Sequence, residues 1–264
     1  MYVGAAIAVW LFDAATPSGV AWLRCLGAAV ILLAWRRPGS QAWRGRPLLL
    51  AGAFGVVTAG MNVVFYEAIA RLPLGTAVAV EFAGPVLVAA LGSRGRRDFA
   101  ALGLVAVGVV CIADVQLRGS PAGVAFALAA AAAWAGYIVL GKRVALGGSG
   151  IDSLAVGFAV ATVLLSPLAL GTGGVWTEPD LLALGIGVGL LSTVVPYVLD
   201  QVVLRRVGQA RFAVLLALLP VTATVTGLVV LRQVPTLPEG LGILAVVAGV
   251  ALRSREDGSV HEPP

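Results

Sequence analysis

Charged side chains make up only 12% of the 264 residues, about half the roughly 25% that a soluble domain carries. Too few remain to clothe a water-facing surface. Histidine occurs once, as His261 in a polar tail, which excludes a histidine-built metal centre in the apolar body. Cysteine occurs twice, as Cys25 and Cys111, each inside an apolar run. That spacing excludes a disulfide framework and leaves two inert thiols. The apolar stretches hold no histidine, no paired aspartates at matching depth and no zinc motif, so an intramembrane enzyme is set aside and no cofactor is expected.

What the chain has in abundance is apolar surface. Hydrophobic residues reach 59% and mean hydropathy is +0.99, more than a globule of this size can hide, so lipid must be the solvent. Apolar stretches of about 17–24 residues recur, long enough to cross a hydrocarbon core of about 30 Å. They predict helices over 19–35, 47–70, 74–92, 99–115, 121–140, 154–171, 181–204, 211–231 and 238–252. A first helix over 1–12 is too short to span unaided. The fold class read here is all-α membrane protein, with ten transmembrane helices of which the first is cut short.

The net charge of +5 does not mark a nucleic-acid binder, because the basic residues sit in short clusters between apolar runs. Arg36, Arg37, Arg44, Arg46, Arg94, Arg96, Arg97, Lys142, Arg143, Arg205, Arg206, Arg211, Arg253 and Arg255 fall in alternate connections and the tail. The other connections hold only Arg71, Arg118 and Arg232. That alternation places both chain ends on the cytoplasmic side, and the membrane expected is a bacterial inner membrane. The lipid bilayer is thus the expected partner, and residues 254–264 a disordered cytoplasmic tail.

A shift of 135 residues lays Arg71-Leu72-Pro73 on Arg206-Val207-Gly208 and Pro85 on Pro220. Repeats with an odd number of helices must be inverted, so the expected organisation is one five-helix repeat over 1–118 and a second over 119–253. Inverted repeats are a transporter architecture, with substrate held near the midplane between the halves. Under the same shift most of helix 1 falls before Met1, so the native start is expected upstream.

Ionisable residues inside spans are costly and mark function by default. Glu81 lies mid-way along helix 4 with no Lys or Arg at i±3 or i±4. It is read as a substrate or proton-coupling group, or as an interhelical hydrogen bond. Pro85 cannot donate to the carbonyl of Glu81, and Pro220 does the same to Leu216, so both helices should kink there. Arg24 enters about 9 Å from the outer end of helix 2, and Glu81 about 10 Å along helix 4. The two either face one cavity, paired or clamping a zwitterion, or Arg24 snorkels to the surface. Asn62 and Tyr66, one turn apart, are candidate hydrogen-bonding residues for that cavity, or interhelical glue. Trp134 and Tyr137 share a face and are candidate pathway residues, or belt aromatics. Local pairs explain Glu67 with Arg71 and Asp114 with Arg118. Asp200 is read as an interfacial charge pair or an inner proton site, and the glycines as close helix contacts. The P-loop spacing of Gly136 to Arg143 is a decoy, since Arg143 stands where Ser or Thr must hold magnesium.

Gly60-Met61-Asn62 with Phe65-Tyr66, then Leu72-Pro73-Leu74-Gly75, Val80-Glu81-Phe82 and Gly84-Pro85 together resemble the threonine/homoserine exporters, a group of EamA-type drug/metabolite transporters. Trp134-Ala135 with Tyr137, and Leu191-Ser192-Thr193 with Pro196-Tyr197, fit the same pattern, as does Arg24. The resemblance implies ten helices in two inverted repeats and proton-driven efflux of a small-molecule substrate, an amino acid or related metabolite. Leu219 and Arg232-Gln233 depart from the family pattern, which often has acidic residues at both places. A drug or nucleotide-sugar type carrier and a non-transporting scaffold are the alternatives.

Overall fold

The computed structural model describes residues 2–92, 96–117, 120–145, 150–196, 199 and 218–254, and every regular element among them is helical. The α-helices are α1 (Tyr2–Leu11), α2 (Pro17–Arg36), α3 (Gly45–Ile69), α4 (Leu74–Glu81), α5 (Ala83–Gly92), α6 (Arg96–Leu117), α7 (Pro121–Ala145), α8 (Gly150–Leu164), α9 (Pro179–Gly189), α10 (Leu219–Leu231) and α11 (Leu237–Ser254). A 3₁₀ segment, Ser166–Trp176, follows α8, and a π turn, Leu190–Val194, follows α9.

Local chemistry sets the ends. Thr16 caps α2, its hydroxyl oxygen accepting from Gly19 N at 3.1 Å, with Pro17 in the first turn where no N–H is needed. Arg37 and Arg232 close α2 and α10 in the left-handed region, at φ 47° and 55°. Each places a cation where the helix dipole is negative.

Pro17–Arg36, Gly45–Ile69 and Pro121–Leu140 are each long and apolar enough to cross a bilayer, and α8 with its 3₁₀ segment makes a fourth if the bent pair counts as one. The chain is a multi-pass membrane protein. Ten unbroken spans, however, are not what the described residues form. The helix expected over 74–92 is interrupted at Phe82, next to the carbonyl that Pro85 cannot satisfy. The helix expected over 154–171 ends at Leu164 and turns by 84° into the 3₁₀ segment. There Pro167 removes a donor and disfavours helical geometry at the residue before it. The helix expected over 181–204 starts as α9 and loosens into the π turn. Its C-terminal end, with Asp200, lies outside the described residues, as do 211–217 and the tail 255–264.

The chain packs as two compact units. The first contains α1, α2, α3, the part of α7 from Gly136, α8, the 3₁₀ segment, α9 and the π turn. The second contains α4, α5, α6, the part of α7 up to Ala135, α10 and α11. Each unit therefore draws on both halves of the sequence.

Within the first unit α2 packs on α8 and α9, and α3 on α8. Lipid gives no hydrophobic drive between helices, so close van der Waals contact must hold them. Glycine supplies it. A Cβ on Gly55 would lie 2.0 Å from the Gly157 carbonyl oxygen, so α3 and α8 touch backbone to backbone. Around them Cys25, Ala28, Ala59, Ala155 and Phe158 form a buried core of mostly small side chains. Within the second unit α6 packs on α11 and α4 on α10. Gly108 and Gly242 play the same part there, a Cβ on Gly108 meeting the Gly242 carbonyl oxygen at 2.6 Å.

Candidate functional site

The first unit buries Arg24. Two turns into α2, its Nε donates to Thr193 Oγ1 and its Nη2 to the Ser192 carbonyl, each at 2.9 Å. Both acceptors belong to the π turn. In a regular helix the Ser192 carbonyl would receive the N–H of residue 196, but that residue is Pro196 and has none to give. The backbone oxygen left over is the one that Arg24 takes. The turn itself is re-registered, with Val195 N bonded to Leu190 O, five residues back. Gly4 of α1 allows close approach, since a Cβ there would fall 2.2 Å from Ser192 Oγ.

The Tyr66 ring of α3 lies against the guanidinium, with Arg24 Cζ 5.7 Å from its centroid, and Phe12 meets that ring edge-on at 6.1 Å. The partners of the Arg24 charge in its own unit are thus a hydroxyl, a carbonyl and a π face, all neutral. Tyr66 is 0% exposed and Ser192 2%. Among the described residues neither the Tyr66 hydroxyl nor the Ser192 hydroxyl has a hydrogen-bond partner. Buried polar atoms are rarely left so. Asn62, buried one turn before Tyr66, hydrogen-bonds the Cys25 side chain. A fixed cation with two unsatisfied buried hydroxyls close by is chemically suited to a small anionic group that also carries hydrogen-bonding capacity.

The second unit buries Glu81 at the C-terminal end of α4, a helix with all eight residues buried. The break at Phe82 follows at once. The Phe82 ring takes Trp134 edge-on at 4.9 Å. The start of α5 presses on α7, a Cβ on Gly84 lying 2.0 Å from the Ala131 carbonyl oxygen. Pro220 stands in the first turn of α10, and the kink read at Leu216 lies outside the described residues.

Arg24, Tyr66 and Asn62 therefore come together in the first unit, while Glu81 and Trp134 lie in the second. Trp134 and Tyr137, though one turn apart on α7, belong to different units: Tyr137 stacks on Phe54 at 4.9 Å. Glu67 accepts a hydrogen bond from the Ser18 hydroxyl, and Arg71 lies over the Phe126 ring at 5.0 Å. The Asp114 side chain lies outside the described residues.

Sequence reasoning missed the π-turn acceptors. The signal was Pro196, whose freed carbonyl follows from the argument applied to Pro85. It also missed Glu239, a buried carboxylate in the second unit. That group accepts from Thr236 N and Thr236 Oγ1 at 2.8 Å, from Thr76 Oγ1 at 3.2 Å and from Gln116 Nε2 at 2.5 Å. Glu239 reaches back to the Thr236 N–H, one half of a capping box, legible as Thr-x-x-Glu before an apolar run.

Comparison with known proteins gives a consistent picture. The EamA-like transporter family matches residues 121–255. The threonine/homoserine exporter RhtA of Salmonella typhimurium (strain SL1344) is 35% identical, over 99% of this chain and 88% of its own. RhtA of Escherichia coli (strain K12) is 34% identical, over 98% and 90%. The uncharacterized transporter YwfM of Bacillus subtilis (strain 168) is 27% identical, over 92% and 86%. A protein of known crystal structure shares the fold with a TM-score of 0.59 at 18% identity, over 97% of this chain and 96% of its own.

Proposed function

Because the chain belongs to the EamA-like transporter family and is a transporter, not an enzyme, we propose that it is a secondary active exporter of small amino acids of the threonine/homoserine kind. The observation that carries this reading is the buried Arg24, held by neutral partners beside two unsatisfied hydroxyls. Arg24 binds the substrate carboxylate, and Tyr66 and Asn62 supply hydrogen bonds to its polar groups. Glu81, buried at a broken helix, carries the exchanged proton. Trp134 and Tyr137 line the pathway, and Pro85 and Pro220 kink its helices. The relatives exporting threonine and homoserine, near full-length at about a third identity, support the substrate class.

Two inverted five-helix repeats, 1–118 and 119–253, remain the organisation we propose. The family match over 121–255, one repeat long, supports the second. The membrane is the bacterial inner membrane, with the C-terminus cytoplasmic, as the arginine alternation supports.

The test is export of labelled L-threonine and L-homoserine from cells overexpressing the chain, alongside resistance to toxic amino-acid analogues. Arg24→Gln should abolish both effects. Glu81→Gln should leave export that no longer responds to an imposed pH gradient. Gradient-driven export by that variant would remove the coupling role, and full export by Arg24→Gln would remove the carboxylate site.

A further inference from the structure

A guanidinium offers two forks of paired N–H donors, the side edge of Nε with Nη2 and the end edge of Nη1 with Nη2. In Arg24 the side edge is spent on the protein, on Thr193 Oγ1 and the Ser192 carbonyl. One face is covered by the Tyr66 ring. The bonds that Arg24 makes within its own unit leave the end edge, Nη1 with Nη2, outside them. The geometry points to the π turn as a positioning device, in which Thr193, the Ser192 carbonyl and Pro196 aim the end edge of Arg24 at the substrate carboxylate. This rests on the reading of Arg24 as the carboxylate group's partner.

Each part has a physical reason to be there. An arginine side chain free to sample its rotamers loses that freedom when it binds, which weakens binding. Two hydrogen bonds along one edge stop rotation about the last torsions. The flat ring then fixes the plane. The hydroxyl of Thr193 does this from a side chain, while the second acceptor is main chain. The proline four residues on has no N–H to donate to that carbonyl, which leaves its oxygen more open to the side chain. An alanine at 196 would supply the missing N–H, and the helix would reclaim the oxygen. The neutral character of both acceptors also matters: a carboxylate in their place would hold Arg24 just as firmly but would compete with the substrate.

The experiment is counterflow of labelled L-threonine in vesicles containing the purified full chain, for wild type, Thr193→Val, Thr193→Ser, Pro196→Ala and Arg24→Gln. Loss of one charge-assisted hydrogen bond corresponds to about a 10-fold weakening. Thr193→Val and Pro196→Ala should therefore raise KM about 10-fold while kcat stays within about two-fold, as expected when binding alone is disturbed. Thr193→Ser should restore the wild-type KM. Preference for L-threonine over its amide should shrink in step with KM, and any fall in melting temperature from the stranded Arg24 donor should be recovered in Thr193→Ser. Unchanged KM in both turn variants overturns the inference. So does a joint fall of KM-independent rate and melting temperature with no recovery in Thr193→Ser, which is the signature of a merely structural turn. Arg24→Gln separates the two levels. Transport that survives it overturns the carboxylate reading itself, whereas transport lost there but normal in the turn variants overturns only the positioning role.

Discussion

Replacing Tyr66 by phenylalanine removes one oxygen and leaves the ring. The ring is what packs: Phe12 meets it edge-on at 6.1 Å and Arg24 lies 5.7 Å from its centroid. Both contacts survive in Tyr66→Phe. The oxygen is 0% exposed and has no partner among the described residues. An unsatisfied buried polar group costs about 1–3 kcal/mol. Deleting it should therefore leave stability unchanged or raise it by up to about 2 kcal/mol. Export should move the other way if, as proposed, this hydroxyl is the one offered to the substrate. One hydrogen bond of this type is worth about 1 kcal/mol, several-fold in apparent affinity. The assay pairs reversible unfolding of the purified protein in mixed micelles with L-threonine counterflow. A variant destabilised by more than about 1 kcal/mol would mean that the hydroxyl is already bonded within the fold. A variant that transports with wild-type affinity would mean that it is not offered to anything. Either result refutes the reasoning.

Other expectations follow from packing and from hydrogen bonding. Gly55→Ala should destabilise by about 1–3 kcal/mol, since its Cβ would lie 2.0 Å from the Gly157 carbonyl oxygen. Gly60→Ala, with nothing within 4 Å of the added carbon, should be neutral or slightly stabilising in the same melting assay. Glu239→Ala strands the buried Thr76 and Gln116 donors and opens the capping box, and should cost about 3 kcal/mol in unfolding experiments. The Arg36–Asp152 pair, 2.8 Å apart with side chains 39% and 25% exposed, should show a coupling below about 1 kcal/mol in a double-mutant cycle.

Helix positions were legible because lipid demands long apolar runs and because arginine clusters at their ends. The ends of α2, α3 and α6 fall within three residues of the sequence reading. Interruptions were legible only in part. Pro85 pointed to the break beside Glu81, whereas the Ser-Pro step at Ser166 passed as continuous span, because hydropathy does not register a missing backbone donor. Arg24, Asn62 and Tyr66 were each picked out as polar groups in an apolar setting, and they do meet. Their acceptors were not, since a backbone carbonyl has no letter of its own and the sequence marks Ser192-Thr193 only as part of a family pattern, not as partners of Arg24. Trp134 and Tyr137 show the limit of helical periodicity: a shared face does not decide which neighbours each ring reaches. Glu239 carried a readable capping signature but sits at the edge of a span, where a carboxylate looks like ordinary interface.

The main-chain acceptor at Ser192 has a consequence for genetics. Side-chain replacement at position 192 leaves that carbonyl in place, so a substitution scan across the turn will not reveal it. What encodes the contact is the imino acid four residues downstream. If Arg24 is the substrate's partner, selection on that contact is felt at residue 196, which forms neither of the arginine's two hydrogen bonds.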